Sequence, residues 1–435
     1  MDTADRLIAL LDHLGLATAH FATQMPGDLA GLAARAPGRM GGVVLAVPVR
    51  LDPGPFEPIA GRLLMLSGDA GLSADVTKRA EQHLGIARRH VLTGYAATGW
   101  SDLAADRTAE VGDLMSGHLG NNVAGEPRSD APRFGTHAGL SFRIDGHGPA
   151  LLLLPFFLAA SQWDPLVETL ARHFSVVRVG GAHIGGVATL EDRAAAPTYQ
   201  AMFTTLCDLM QITSGHRILD VGCGSGALDR LLARKLGATA RIDAVDVNGY
   251  LLGEAKALAD ADDLGERILF GHGSAVDLPF PDATFDRVLS VTVLEECDAG
   301  RAIAEIARVT KPGGRIGIVV RAIDLPQWWN VDVAASIKAK ADVPPQSIGP
   351  GGVADKSLYG RIRKAGLVDL IVAPQFVTLD RPDGPTWRYR EDHLLSLLTP
   401  DEAQHWKTAA TAARASGVLA MATALHCAVA TKPSR

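Results

Sequence analysis

The stretch His216–Val247, HRILDVGCGSGALDRLLARKLGATARIDAVDV, decides the fold. Arg217–Val221 is a short apolar run of the kind that forms a buried strand. Gly222-Cys223-Gly224-Ser225-Gly226 is a glycine loop, Ala227–Leu236 has helical apolar spacing, and Ile242–Val247 is a second strand. Strand, glycines, helix and strand make the repeating unit of a parallel sheet, in which loop amides and a helix N-terminus face whatever sits above the sheet. Glycine serves in the loop because a side chain would block close approach of a ligand. Asp246 closes the second strand, where a carboxylate can accept hydrogen bonds from both hydroxyls of a ribose. Three glycines alone would indicate only a tight turn. Asp220 before them and Asp246 after them make a nucleotide-type ligand the better reading. No Lys-Ser or Lys-Thr closes the run, which excludes a P-loop.

The pattern continues on both sides. Tyr199–Ile212 reads as a helix before the loop; Leu251–Ala259 and Ala302–Val309 read as helices after it, and Arg287–Val291 as a strand. Pro312-Gly313-Gly314 reads as a turn into the strand Arg315–Val320, and ALHCAVATKP near the end as the last strand, with His426 and Cys427 in the core. LDVGCGSG, then Asp246, then VDLPFPDATFDRVLS (276–290), then ARVTKPGGRIGIVVRA (307–322) together resemble class I S-adenosylmethionine-dependent methyltransferases, most strongly over 196–330.

That resemblance implies a Rossmann-like domain, expected over 191–435, with S-adenosylmethionine as cofactor. Asp220, Gly222, Gly224 and Gly226 would line its methionine and ribose side, Asp246 would hold the ribose diol, and Val247 and Asn248 would lie near the adenine. Ser274, Ala275 and Val291 are further expected cofactor contacts. Relatives often place an acid where Ser274 stands, and Asp277 falls three residues later, so the adenine contact is expected from a hydroxyl or a backbone group. Where relatives commonly carry a His, SVTVLEECDAGR (290–301) has Glu295 and Glu296. A carboxylate there orients or deprotonates an acceptor; the alternative is one solvated glutamate and one that caps a backbone group. Tyr199 is placed either to fold over the cofactor or to pack in the core. Residues 324–360, with Trp328, Trp329, Tyr359 and the Gly349–Gly352 run, suggest a lid or substrate wall; the tryptophan pair could equally be a patch buried against the other domain.

The first 190 residues carry a resemblance of their own. Ala4–Pro48 is similar to the helix, nucleophile elbow, helix and strand of an α/β-hydrolase, but the nucleophile position falls on Gln24 and the elbow glycines become Ala22 and Pro26. GRLLMLSGDAG (61–71) resembles the strand before that family's acid, whereas HVLTGYAATGWSD (90–102) has no His after Gly94. GLSFRIDGHGPALLLLPFFLAASQWDPLVETLARHFSVVRVGG (139–181) resembles the family's beginning, with its oxyanion loop and first helix. The halves stand in reversed order across a polar stretch, 124–138, expected as a linker. A degenerate, circularly permuted hydrolase-like domain is expected, with exchange of halves between two protomers as the alternative and no acyl chemistry in either.

Composition narrows the partners. In 435 residues, 42 basic against 48 acidic leave a net charge of −6, no footprint for a phosphate-backbone binder. Hydrophobic residues make up 47%, too many for a disordered chain. Cys207, Cys223, Cys297 and Cys427 are scattered, without metal or disulfide spacing. The acidic, amphipathic N-terminus is unlike a secretory signal, and the apolar runs are too short to span a bilayer. The expectation is a cytoplasmic enzyme that methylates a small-molecule acceptor, without nucleic acid, membrane or metal, with a homodimer as one assembly. A protein that binds S-adenosylmethionine without methylating, and a hydrolase, stand as alternatives.

Overall fold

Apolar runs without polar alternation mark strands covered on both faces. In the computed structural model, which describes residues 1–97, 101–382 and 384–434, Ala19–Thr23 (β1) and Met40–Ala46 (β2) are of this kind, buried at every position. Leu63–Ala70 (β3) is buried over its first six residues, and Arg88–Ala96 (β4) is mostly exposed. Phe134–His137 (β5), Leu140–Asp145 (β6), Ala150–Leu153 (β7) and Ser175–Gly180 (β8) follow. These strands form one sheet in the order β4-β3-β2-β1-β7-β8-β6-β5, parallel except for β6, which runs antiparallel to both neighbours. They belong to the first of two units, Met1–Ala188. β5 lies inside the stretch expected as a linker and closes the edge of the sheet.

Gln24 follows β1 and is 2% exposed. Its Nε2 donates to the Val47 carbonyl at 3.4 Å, and its Oε1 has no partner among the described residues. Its φ is not positive, so the strained turn of a nucleophile elbow is missing. After β7, the amides of Phe157, Leu158 and Ala159 all donate to Oε1 of the buried Gln162. The first helix expected within 139–181 is a 3-10 turn, Ala160–Trp163, then the helix Asp164–Leu170, restarted by Pro165 in its first turn. The stretch 90–102 read for a catalytic His includes Thr98–Trp100, which lie outside the described residues.

The second unit, Thr189–Arg435, is built on Arg217–Val221 (β9), Arg241–Asp246 (β10), Ile268–His272 (β11), Phe285–Val291 (β12), Thr310–Arg321 (β13), Trp328–Trp329 (β14), Val368–Val372 (β15), Gln375–Leu379 (β16) and Met421–Thr431 (β17). The sheet runs β11-β10-β9-β12-β13-β17-β14, with β15 and β16 also on β17. The strands from β11 to β13 are parallel, and β17 is antiparallel to β13. From β9 the chain winds to β10 and β11 on one side, then returns to β12 on the other. This makes the gap at the carboxyl ends of β9 and β12 a topological switch point, where open α/β sheets bind ligands. The expected turn at Pro312–Gly314 is a bulge inside β13: pairing passes from Phe285–Thr310 directly to Arg287–Arg315.

Helices cover both faces. Ala299–Val309 begins at Asp298, whose Oδ1 accepts from the Arg301 amide at 3.1 Å, and buries Ala302, Ile303, Ile306 and Val309 as one stripe. On the other face, Trp329 stands edge-on to Trp387 and Trp406, with centroids at 5.1 and 5.2 Å. Trp329 is thus buried inside this unit's core, while Trp328 is 46% exposed. The Trp387 and Trp406 indoles donate to the two carboxylate oxygens of Glu391 at 3.1 and 2.9 Å. Glu391→Ala strands two buried donors and is expected to cost about 2–4 kcal/mol, read as a lower urea midpoint at unchanged slope.

Candidate functional site

The carboxyl ends of β9, β10 and β12 bring the expected residues together. Gly222, Gly224 and Gly226 have φ of +82°, +56° and +69°, the left-handed region that favours glycine. At Gly222 an added Cβ would lie 2.2 Å from Val293 Cγ2, and at Gly226 it would lie 2.8 Å from Phe270 Cζ. These two glycines are therefore required by the protein's own packing as well as by any ligand. The Gly222–Val293 contact also sets the segment after β12 beside the loop. The Gly222 and Cys223 amides donate to the Val245 carbonyl at 2.7 and 3.0 Å, tying the loop to β10.

Asp246 holds the loop from the other side. Its Oδ2 accepts from the Gly224 amide and its Oδ1 from the Asn248 amide, both at 2.9 Å. A carboxylate has about four acceptor sites, so this one keeps capacity for a diol. The Asn248 side chain caps helix Gly249–Ala261 through the Tyr250 and Leu251 amides, and Val247 is 59% exposed. Ser274 pairs with Asp277 in an isolated bridge, Ala275 is buried, and Val291 ends β12. Asp220 is buried with Oδ1 unpartnered among the described residues. An orphaned carboxylate oxygen, a loop of left-handed glycines and a second carboxylate with spare acceptor sites fit a cofactor that carries an ammonium group and a ribose.

Sequence reasoning missed the clamp beneath this loop. Glu191 accepts from the Ser225 hydroxyl at 2.6 Å and pairs with Arg230, whose Nη1 donates to the Ser225 carbonyl at 2.8 Å. Glu191 lies far upstream of the loop, and no local periodicity signals the contact. Thr292 was missed too. A β-branched residue at φ +57° is strained, and strain of this kind concentrates at ligand sites.

Of the expected catalytic residues, Glu295 is 1% exposed; its Oε1 accepts from the Arg321 amide at 2.7 Å and its Oε2 has no partner among the described residues. Burial pushes its carboxyl up to about 7, although the Arg321 amide and the charges of Arg321 and Arg193 oppose the shift. Glu296 differs: its side chain is 68% exposed, with the carboxylate 3.9 Å from Arg321. Tyr199 is buried, its hydroxyl in no hydrogen bond among the described residues, its ring 5.2 Å from the Arg193 guanidinium carbon, and burial raises its pKa. Of the 324–360 segment, Gly349 and Val353 donate their amides to the carbonyls of Glu295 and Leu294, so this stretch packs on the Glu295 backbone. His426 is buried as expected of a core residue. It also sits between the Tyr359 hydroxyl at 2.9 Å and the Asp324 carboxylate at 2.7 Å.

Residues 219–318 match the family described as a methyltransferase domain. A methyltransferase of Streptomyces halstedii is 34% identical over 120 residues, covering 27% of this chain and 42% of its own length. The 27-O-demethylrifamycin SV methyltransferase of Amycolatopsis mediterranei is 29% identical over 184 residues, 41% of this chain and 62% of its own. An O-methyltransferase of Aspergillus sclerotiorum is 33% identical over 186 residues, 42% of this chain and 66% of its own. The chain therefore spans less than two thirds of the length of each of these relatives. Among the described residues no helix is long and apolar enough to cross a membrane. Over residues 219–318 this chain is therefore similar to methyltransferase domains.

Proposed function

We propose that this chain transfers a methyl group from S-adenosylmethionine to a small-molecule acceptor, with Glu295 as the group that orients or deprotonates it. The observation that carries the reading is Glu295 itself: a buried carboxyl whose Oε2 has no partner among the described residues, three residues past strained Thr292 and two past Val293, which packs on Gly222 of the loop. Bound above the loop, the cofactor supplies an electrophilic methyl on a sulfonium and leaves as S-adenosylhomocysteine. Asp246 is assigned to the ribose diol, Asp220 and the loop glycines to the methionine side, and Val247 and Asn248 to the adenine, with Ser274, Ala275 and Val291 around it. Glu295 at about 7 is poised to take a proton near neutral pH, where a base works best. Glu295 is itself 1% exposed, and in so little water the carboxylate's pull on a proton is strengthened. Glu296, solvated, is left out of the chemistry.

For residues 1–188 we propose a permuted hydrolase-like domain without acyl chemistry. The supporting observations are that β1 pairs with β7, joining both halves in one sheet, that glutamine fills the nucleophile position, and that Gln162 consumes the loop amides that would otherwise bind an oxyanion.

The test is incubation of the full chain with S-adenosylmethionine and a panel of phenols, alcohols, amines and quinones, reading S-adenosylhomocysteine. An acceptor-dependent rise supports methyl transfer. Tight cofactor binding with no rise from any class points to use of the cofactor without methylation.

A further inference from the structure

Cofactor binding by itself does not account for the residue beneath the glycine loop. Asp229 stands in the first turn of helix Ala227–Leu236, 1% exposed, and its carboxyl lies against that of Asp220, 3% exposed. Both Asp229 oxygens and Oδ1 of Asp220 accept no hydrogen bond from any described donor. The nearest cation, Arg230, is spent on Glu191, Asp262 and the Ser225 carbonyl. The other groups that face the pair bring no positive charge: Asp246 on β10, Cys223 in the loop and Cys207 on helix Pro197–Leu209. Two ionised carboxylates in contact and away from water would repel each other and lose their hydration. A shared proton removes the repulsion and one of the two buried charges, and it is the one bond that can join two acceptors. Burial raises both groups above the usual carboxylate range.

We propose that Asp229 is a positioning residue that shares a proton with Asp220, and that the pair releases this proton to solvent when the α-ammonium group of the cofactor's methionine end binds above it. The proposal rests on S-adenosylmethionine binding at this loop. The ammonium keeps its own protons; release takes the pair from one negative charge to two, and the positive charge of the ammonium against Asp220 offsets the second. Binding is therefore linked to pH: affinity for a ligand with the ammonium tightens as pH rises through neutrality, because the unbound site holds more protons than the bound one. A ligand without that group has no such linkage.

Calorimetric titration of the full chain tests this between pH 6 and 8, in buffers of different ionisation enthalpy. The probes are S-adenosylhomocysteine and 5′-methylthioadenosine, which lacks the amino-acid end. We expect S-adenosylhomocysteine to bind about tenfold tighter at pH 8 than at pH 6, with proton release, and 5′-methylthioadenosine to show neither. In Asp229→Asn the amide donates to Asp220 and holds it ionised, so the midpoint of the dependence moves down by about one pH unit or more. Asp229→Ser serves where the asparagine variant does not fold. A flat S-adenosylhomocysteine profile without proton release, the same slope for both probes, or a slope that ignores both substitutions overturns the proposal. Failure of the unmodified chain to bind either probe defeats the cofactor assignment itself, and this proposal with it.

Discussion

Asp246→Ala is expected to weaken S-adenosylhomocysteine binding by about two orders of magnitude. A hydrogen bond to a charged group contributes about 1.5–3 kcal/mol, and a ribose diol offers two donors to the one carboxylate. The substitution also strips the Gly224 and Asn248 amides of their acceptor, loosening the loop that the ligand must meet. Asp246→Asn keeps one acceptor oxygen and should fall in between. Calorimetry at fixed pH reads both, and thermal melting separates lost binding from lost fold. An Asp246→Ala affinity within twofold of the parent would remove the ribose assignment.

Glu295→Gln is expected to lower turnover of a hydroxyl acceptor by about 10²–10³-fold while leaving S-adenosylhomocysteine affinity nearly unchanged, because general-base contributions are of this size. The parent's rate should climb with pH through about 7 as Glu295 ionises, and the variant should lose that limb. A second readout needs no acceptor. The folded carboxyl titrates near 7 and the unfolded one near 4.5. Between these values the native state binds more protons, so stability falls as pH rises through the window and levels off above it. Glu295→Gln should flatten that fall and raise the melting temperature at pH 8. A variant with full activity and an unchanged stability profile would return Glu295 to a capping role.

The parts of the site that could be read from the sequence are those where one segment carries its own meaning. The 216–247 unit is such a segment: its strand, loop and helix lie where the apolar spacing and glycines put them. What escaped depends on partners distant in the chain. Glu191 meets Ser225, Asp324 meets His426, and Asp229 acquires significance only because a second carboxyl faces it. β11, β15 and β16 were missed for another reason: each is five residues long and partly exposed, so its burial pattern follows from its place in the sheet more than from its composition. Glu295 and Glu296 are adjacent and chemically identical, and only the fold buries the first and leaves the second in water.

The pairing of β1 with β7 has a consequence for synthesis. Phe21 lies opposite Leu152, so one edge of a fully buried strand waits for a partner about 130 residues further along the chain. At roughly 5–20 residues per second, a ribosome takes on the order of 10 seconds to deliver it. During that interval the nascent first half exposes an apolar, unpaired edge that invites association with other chains. Slowed elongation between residues 24 and 150 should therefore lengthen that exposure and lower the soluble yield of this protein.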